Sequence, residues 1–156
     1  MNINKIYWAL FPFALAILIV SGFKIAEPYI FPVVSDFRVN QVIKTDGYIV
    51  IRGQTVKNRE CILNNITAVG ILDGSNLKPK LKLTFTKHDE FNTAGNGTKV
   101  WGPWEIKVTN YNNLQNVELY SNHSCHFAWN IVTHLVTMPI TYINYNGVYT
   151  PLPPNE

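Results

Sequence analysis

Charge is scarce in this chain. Of its 156 residues only 15% are Asp, Glu, Lys or Arg, where ~25% is usual for soluble domains. The formal balance of +3 is too small for the strongly basic face that a nucleic-acid partner requires. Cysteine is nearly absent as well. Cys61 and Cys125 are the only two, which excludes a four-cysteine zinc site. They are not arranged as Cys-x-x-Cys, which excludes a thioredoxin-type redox pair. The sequence has no Gly-x-Ser-x-Gly elbow and no glycine-rich phosphate cradle, so two common catalytic classes are missing. Asp89-Glu90 is an adjacent pair, not two carboxylates set to face a substrate. The length is too short for a (β/α)8 barrel or for a Rossmann domain with a substrate domain. These absences predict a protein that is not an enzyme and holds no cofactor or metal.

Apolar residues are abundant at 47%, and they are unevenly spread. Ile6 to Phe23 contains no charge across 18 positions. A bilayer core of ~30 Å needs ~20 helical residues, so this run sits at the lower limit of a span. Lys5 and Lys24 bracket it, and Tyr7 and Trp8 lie at its first end, where amphipathic rings favour the headgroup level. A cleaved signal peptide has a shorter apolar core, although Val20-Ser21-Gly22 is a passable cleavage site. The run therefore reads as a retained signal anchor over residues 1–24, with the lipid bilayer as its partner. Lys5 and the α-amino group before the span favour a cytoplasmic N-terminus and a periplasmic or extracellular C-terminal domain. Residues 25–32 hold Pro28 and Pro32 and read as a short stiff linker. Beyond residue 24 the basic and acidic residues number 11 and 10.

From Val33 onward the texture is β. Segments 33–44 and 48–56 flank Thr45-Asp46-Gly47, and Asp-Gly between apolar runs is a hairpin signal. Segment 61–72 is interrupted by Asn64-Asn65, which predicts a bulge. In segment 80–86, Leu81, Leu83 and Phe85 alternate with polar residues, so one face is buried. Residues 88–99 read as a polar loop. Segment 101–109 turns Trp104, Ile106 and Val108 inward. Segments 117–121 and 127–137 follow, and Asn146-Gly147 suggests a last hairpin. Seven or eight short strands over residues 33–150 predict an all-β domain, an antiparallel β-sandwich of immunoglobulin or fibronectin type, with a small barrel as the alternative. Residues 151–156 form a proline-rich tail.

Few side chains stand out as functional candidates. In an exported domain an even cysteine count predicts a disulfide, here Cys61–Cys125. A closed loop of 64 positions gives it about 4 kcal/mol by chain entropy. Trp101-Gly102-Pro103-Trp104 offers two tryptophans beside a Gly-Pro step, a candidate aromatic platform for peptide or sugar. Trp129 is expected in the core. Lys78, Lys80 and Lys82 alternate, so they share one face of one strand as a basic ladder for an anionic surface, or as charges guarding an edge strand. His123 and His126 flank Cys125, a ligand-like cluster that strand alternation would split onto two faces.

The order of an apolar N-terminal span, Ser35-Asp36-Phe37, Arg59-Glu60-Cys61, Trp101-Gly102-Pro103-Trp104 and Ser124-Cys125-His126 resembles a loose group of small, uncharacterised membrane-anchored proteins encoded in tailed-phage and prophage genomes. The resemblance implies a viral or bacterial origin and an exported β domain with one cysteine pair. It implies no activity. The expectation is therefore a single-pass, non-enzymatic envelope protein whose exported domain binds another protein, as an accessory subunit or as a phage factor acting at the host envelope. The alternative is a carbohydrate- or envelope-polymer-binding module, which would need Trp101 and Trp104 exposed.

Overall fold

The computed structural model describes residues 3–45, 47–85, 91, 95–109, 113–126 and 129–140, with side chains from Leu10 onward. The chain divides into two compact units, Met1–Pro32 and Val33–Glu156.

The first unit is a single helix, α1 (Ile3–Ile30). Its stretch Leu10–Ile30 is long and apolar enough to cross a membrane. Leu10, Phe11, Phe13, Ile17, Leu18 and Ile19 all point outward, uncovered by protein. A helix apolar on all sides needs lipid or protein around it. The linker expected over residues 25–32 is instead helical as far as Ile30. Pro28 falls in the last turn, where its missing N–H removes one hydrogen bond without interrupting a longer ladder. The helix closes with the Phe31 N–H donating to the Glu27 carbonyl at 2.8 Å.

The second unit holds seven strands: β1 (Val34–Thr45), β2 (Tyr48–Lys57), β3 (Ile62–Leu72), β4 (Lys80–Phe85), β5 (Gly97–Lys107), β6 (Leu114–Ser124) and β7 (Asn130–Pro139). All pairings are antiparallel, in the order β1-β2-β5-β4-β3-β6-β7. β4 joins β5 on one side and β3 on the other, so the strands form one curled, barrel-like sheet. The β3–β4 seam is short, with only Ala68↔Leu81 and Val69↔Lys80 in register.

Local sequence explains several junctions. Thr45 pairs with Tyr48 where β1 gives way to β2, and Gly47 takes φ 81° there. That left-handed backbone is why glycine belongs at this corner. The bulge expected at Asn64-Asn65 is present as a register shift between Leu63 and Asn65. β5 begins at Gly97, four residues before the expected start, and β6 runs beyond 117–121 at both ends. Most of these extra residues are polar, with Val100 and Leu114 the exceptions, and cross-strand pairing holds them rather than apolar alternation. β7 starts at Asn130. The final hairpin expected around Asn146-Gly147 lies outside the described residues.

The inward faces close one core. Val39, Val42, Ile49, Ile51, Ile66, Ala68, Leu81, Trp101, Trp104, Ile106, Val117, Leu119, Ile131, Leu135 and Met138 are buried. On β4 the expected alternation fades toward the C-terminal end. Leu81 is buried, Leu83 is half-buried and Phe85 is 45% exposed.

Candidate functional site

Trp101 and Trp104 are both 0% exposed. This corrects the expectation of a surface platform: the pair is the centre of the core. Residues three apart on a regular strand face opposite sides. Here Gly102 takes φ 87° and the β2–β5 register shifts between Ile51 and Gly53, so both indoles turn inward. Their ring centroids lie 4.4 Å apart. Phe37 stacks on Trp101 at 4.5 Å, and Phe91 and Phe85 meet Trp104 edge-on at 5.4 Å and 5.6 Å. Offset-stacked and edge-to-face geometries are the favourable ones for aromatic pairs. Gly53 sits opposite Trp101, and a Cβ there would run into the indole and the Arg38 carbonyl. The glycine is what lets the large ring lie flat against β2.

Trp129, expected in the core, is only partly buried, and its ring packs on His126 at 5.1 Å. The sugar-platform reading of Trp101 and Trp104 has no surface to act through.

Cys61 and Cys125 form the expected disulfide, with Cα atoms 4.6 Å apart. Cys61 immediately precedes β3 and Cys125 immediately follows β6, and the first pair of that ladder is Ile62↔Ser124. The bond therefore staples one end of two neighbouring strands.

The histidines go to separate environments. His123 points inward from β6 and is 2% exposed. Neither of its ring nitrogens meets a hydrogen-bond partner among the described residues. Burial, and then the nearby Lys57 cation, push its pKa down to about 4, so the ring is neutral at pH 7. Four more buried polar atoms have no hydrogen-bond partner among the described residues: Trp101 Nε1, Ser121 Oγ, Asn122 Oδ1 and Thr133 Oγ1. His134 faces Tyr120 at 5.2 Å on the opposite side of the sheet. His88 lies outside the described residues. Among the described residues no three His, Cys, Asp or Glu side chains gather closely enough to hold a metal ion.

The lysine ladder is divided. Lys78 precedes β4 and reaches Glu118 at 3.5 Å. Lys80 and Lys82 project outward from β4. β4 changes partner along its length: Lys80 and Leu81 pair with β3, whereas Lys82 to Phe85 pair with β5, so each lysine stands on a stretch paired on one side. Lys82 stands directly opposite Lys107 of β5. Sequence reading missed Lys107, because the two lysines are brought together by a pairing across 24 intervening positions. An apolar hollow of about 260 Å³ is lined by Leu72, Leu77, Lys78 and Pro79. Comparison with protein-family models, with curated proteins and with solved structures finds no match.

Proposed function

We propose that this protein is a membrane-tethered, non-enzymatic binding module whose β domain docks on another protein. The observation that carries the reading is one combination: an outward-apolar helix long enough to span a membrane, followed by a β domain closed by a disulfide. Disulfides persist in oxidising compartments, which favours the periplasmic or outer side for the domain. Lys5 ahead of the span favours a cytoplasmic N-terminus. The resemblance to phage and prophage membrane proteins supports a bacterial envelope, with the protein serving as an accessory subunit or as a factor acting on that envelope.

We further infer an immunoglobulin-like arrangement. Constant-type immunoglobulin domains place strands A, B, E and D in one layer and C, F and G in the other. Lettered in chain order, the observed sequence of neighbours is A-B-E-D, then C-F-G. The short β3–β4 seam falls between the two groups. Two features depart from that template. The disulfide joins neighbours β3 and β6 instead of crossing between layers, and the core tryptophans come from β5.

A pull-down of tagged full-length protein from membranes, with intact-mass analysis, tests the reading. Retained mass of the N-terminal segment, two cysteines in one disulfide and a stoichiometric protein partner are expected. A soluble, cleaved chain recovered alone would overturn it.

A further inference from the structure

Two like charges face each other on the outer surface of the sheet. Lys82 pairs with Lys107, Lys107 pairs with Tyr48, and Tyr48 pairs with Thr45. Directly opposed residues share one face of a sheet. One row across four adjacent strands therefore presents two ammonium groups, a phenol and a threonine, all exposed. The Thr45 hydroxyl donates to the Tyr48 carbonyl at 3.4 Å, which ties the end of the row to the turn. Neither lysine makes an ion pair among the described residues.

Opposed like charges destabilise a sheet, so the cross-strand pairing of the two lysines is not itself a stabilising contact. Neighbouring strands lie ~4.8 Å apart, so a single carboxylate can bridge the two ammonium groups. The next row is different in kind: Thr84, Glu105, Val50 and Ile43. Ile43 is exposed and Val50 half-buried, and Tyr48 lies against them on the same face. Cations at one end and apolar side chains at the other complement a segment that carries both carboxylates and apolar residues. A hydrated polyanion would satisfy the lysines and leave the apolar end uncovered. Glu105 limits the basic patch to its Lys82–Lys107 end. The row also lies beside the β1–β2 turn, 11 residues along β1 from Val34. At ~3.3 Å per residue an unbent strand of that length runs about 36 Å, so the row stands at the end of β1 far from Val34.

We propose that the row Lys82, Lys107 and Tyr48 is a docking site for an acidic segment of a partner protein, with apolar residues beside its carboxylates. The class of partner rests on the binding-module reading above.

The test uses the full chain in nanodiscs and a fluorescent peptide of alternating glutamate and leucine, read by anisotropy. Binding that weakens at least about tenfold in K82Q/K107Q is expected, since ~1.4 kcal/mol is a factor of ten. Binding should also weaken with rising salt and be unchanged in K78Q, whose ammonium is engaged elsewhere. The double variant should unfold no earlier than wild type on heating, because the substitution removes a repulsion. Tyr48→Ala tests the apolar end independently and should also weaken binding. Peptide binding that is absent from wild type, or unchanged in K82Q/K107Q, would overturn the site. So would displacement of the peptide by inorganic polyphosphate at equal or lower concentration, which would mark a general polyanion surface. A membrane partner captured equally by wild type and K82Q/K107Q would overturn the row while leaving the tethered-module reading in place. Row-dependent peptide binding by a chain that is cleaved from the membrane would do the reverse.

Discussion

At the scale of the residue, His123 ties stability to pH. Its folded pKa of about 4 lies below the ordinary value of 6.5. Between those values the unfolded chain binds more protons than the folded one, so folding loses stability as pH falls from about 6.5 toward about 4. Above that window the ring is neutral in both states and the contribution is constant. His123→Gln should therefore show a smaller drop in thermal midpoint than wild type between pH 7 and pH 4, with the two curves parallel above pH 7. The tryptophans make a second prediction at this scale. Trp101→Ala should destabilise the domain by about 3–5 kcal/mol, as large-to-small core changes do, measured by denaturant unfolding of the full chain. A loss of ligand binding with unchanged stability would contradict its place in the core.

At the scale of the element, the β2–β5 pair is held by a complementarity of extremes. The smallest residue, Gly53, lies opposite the largest, Trp101. The register shift beside it brings the second indole inward. Gly53→Ala should cost about 1–3 kcal/mol through overpacking against the indole and the Arg38 carbonyl. The check is the denaturation midpoint, compared with Thr84→Ala on the exposed face of β4, where little change is expected. β1 shows a related device. Asp36 takes a left-handed backbone at φ 53°, within the register shift between Ser35 and Arg38, and its carboxylate accepts from the Arg38 guanidinium at 3.1 Å. Aspartate tolerates that conformation better than most residues.

At the scale of the whole molecule, the disulfide and the helix bear on the same question of compartment. The bond closes a loop of 64 positions, and chain entropy gives it about 4 kcal/mol. Reduction, or the paired change Cys61→Ser with Cys125→Ser, should lower unfolding free energy by that order. Denatured, unreduced protein should show no titratable thiol. The polar interior around Ser121, His123 and Thr133 lies where the half of β6 that runs toward the disulfide pairs with β7. Buried polar atoms without partners weaken a core, so the staple acts near the end of the β3–β6 pair where apolar packing gives least.

Sequence alone determined the apolar span, most of the strands, the Asp-Gly hairpin, the bulge at Asn64-Asn65 and the cysteine pair. Each rests on short-range patterning: hydrophobic runs, period-two alternation, turn chemistry or a count of two. Strand ends were less legible, because residues 97–100 and 114–116 are held by ladder hydrogen bonds and carry no clear apolar alternation. Two matters were decided only by tertiary structure. A Gly-Pro step at the sequence level does not say which way its flanking tryptophans turn; the register shift against β2 does, and it places both in the core. Nor does a run of alternate lysines reveal that Lys82 meets Lys107, since strand order β2-β5-β4 sets that contact. Side-chain identity is local, whereas facing and adjacency follow from long-range pairing, and the candidate docking row is made entirely of adjacency.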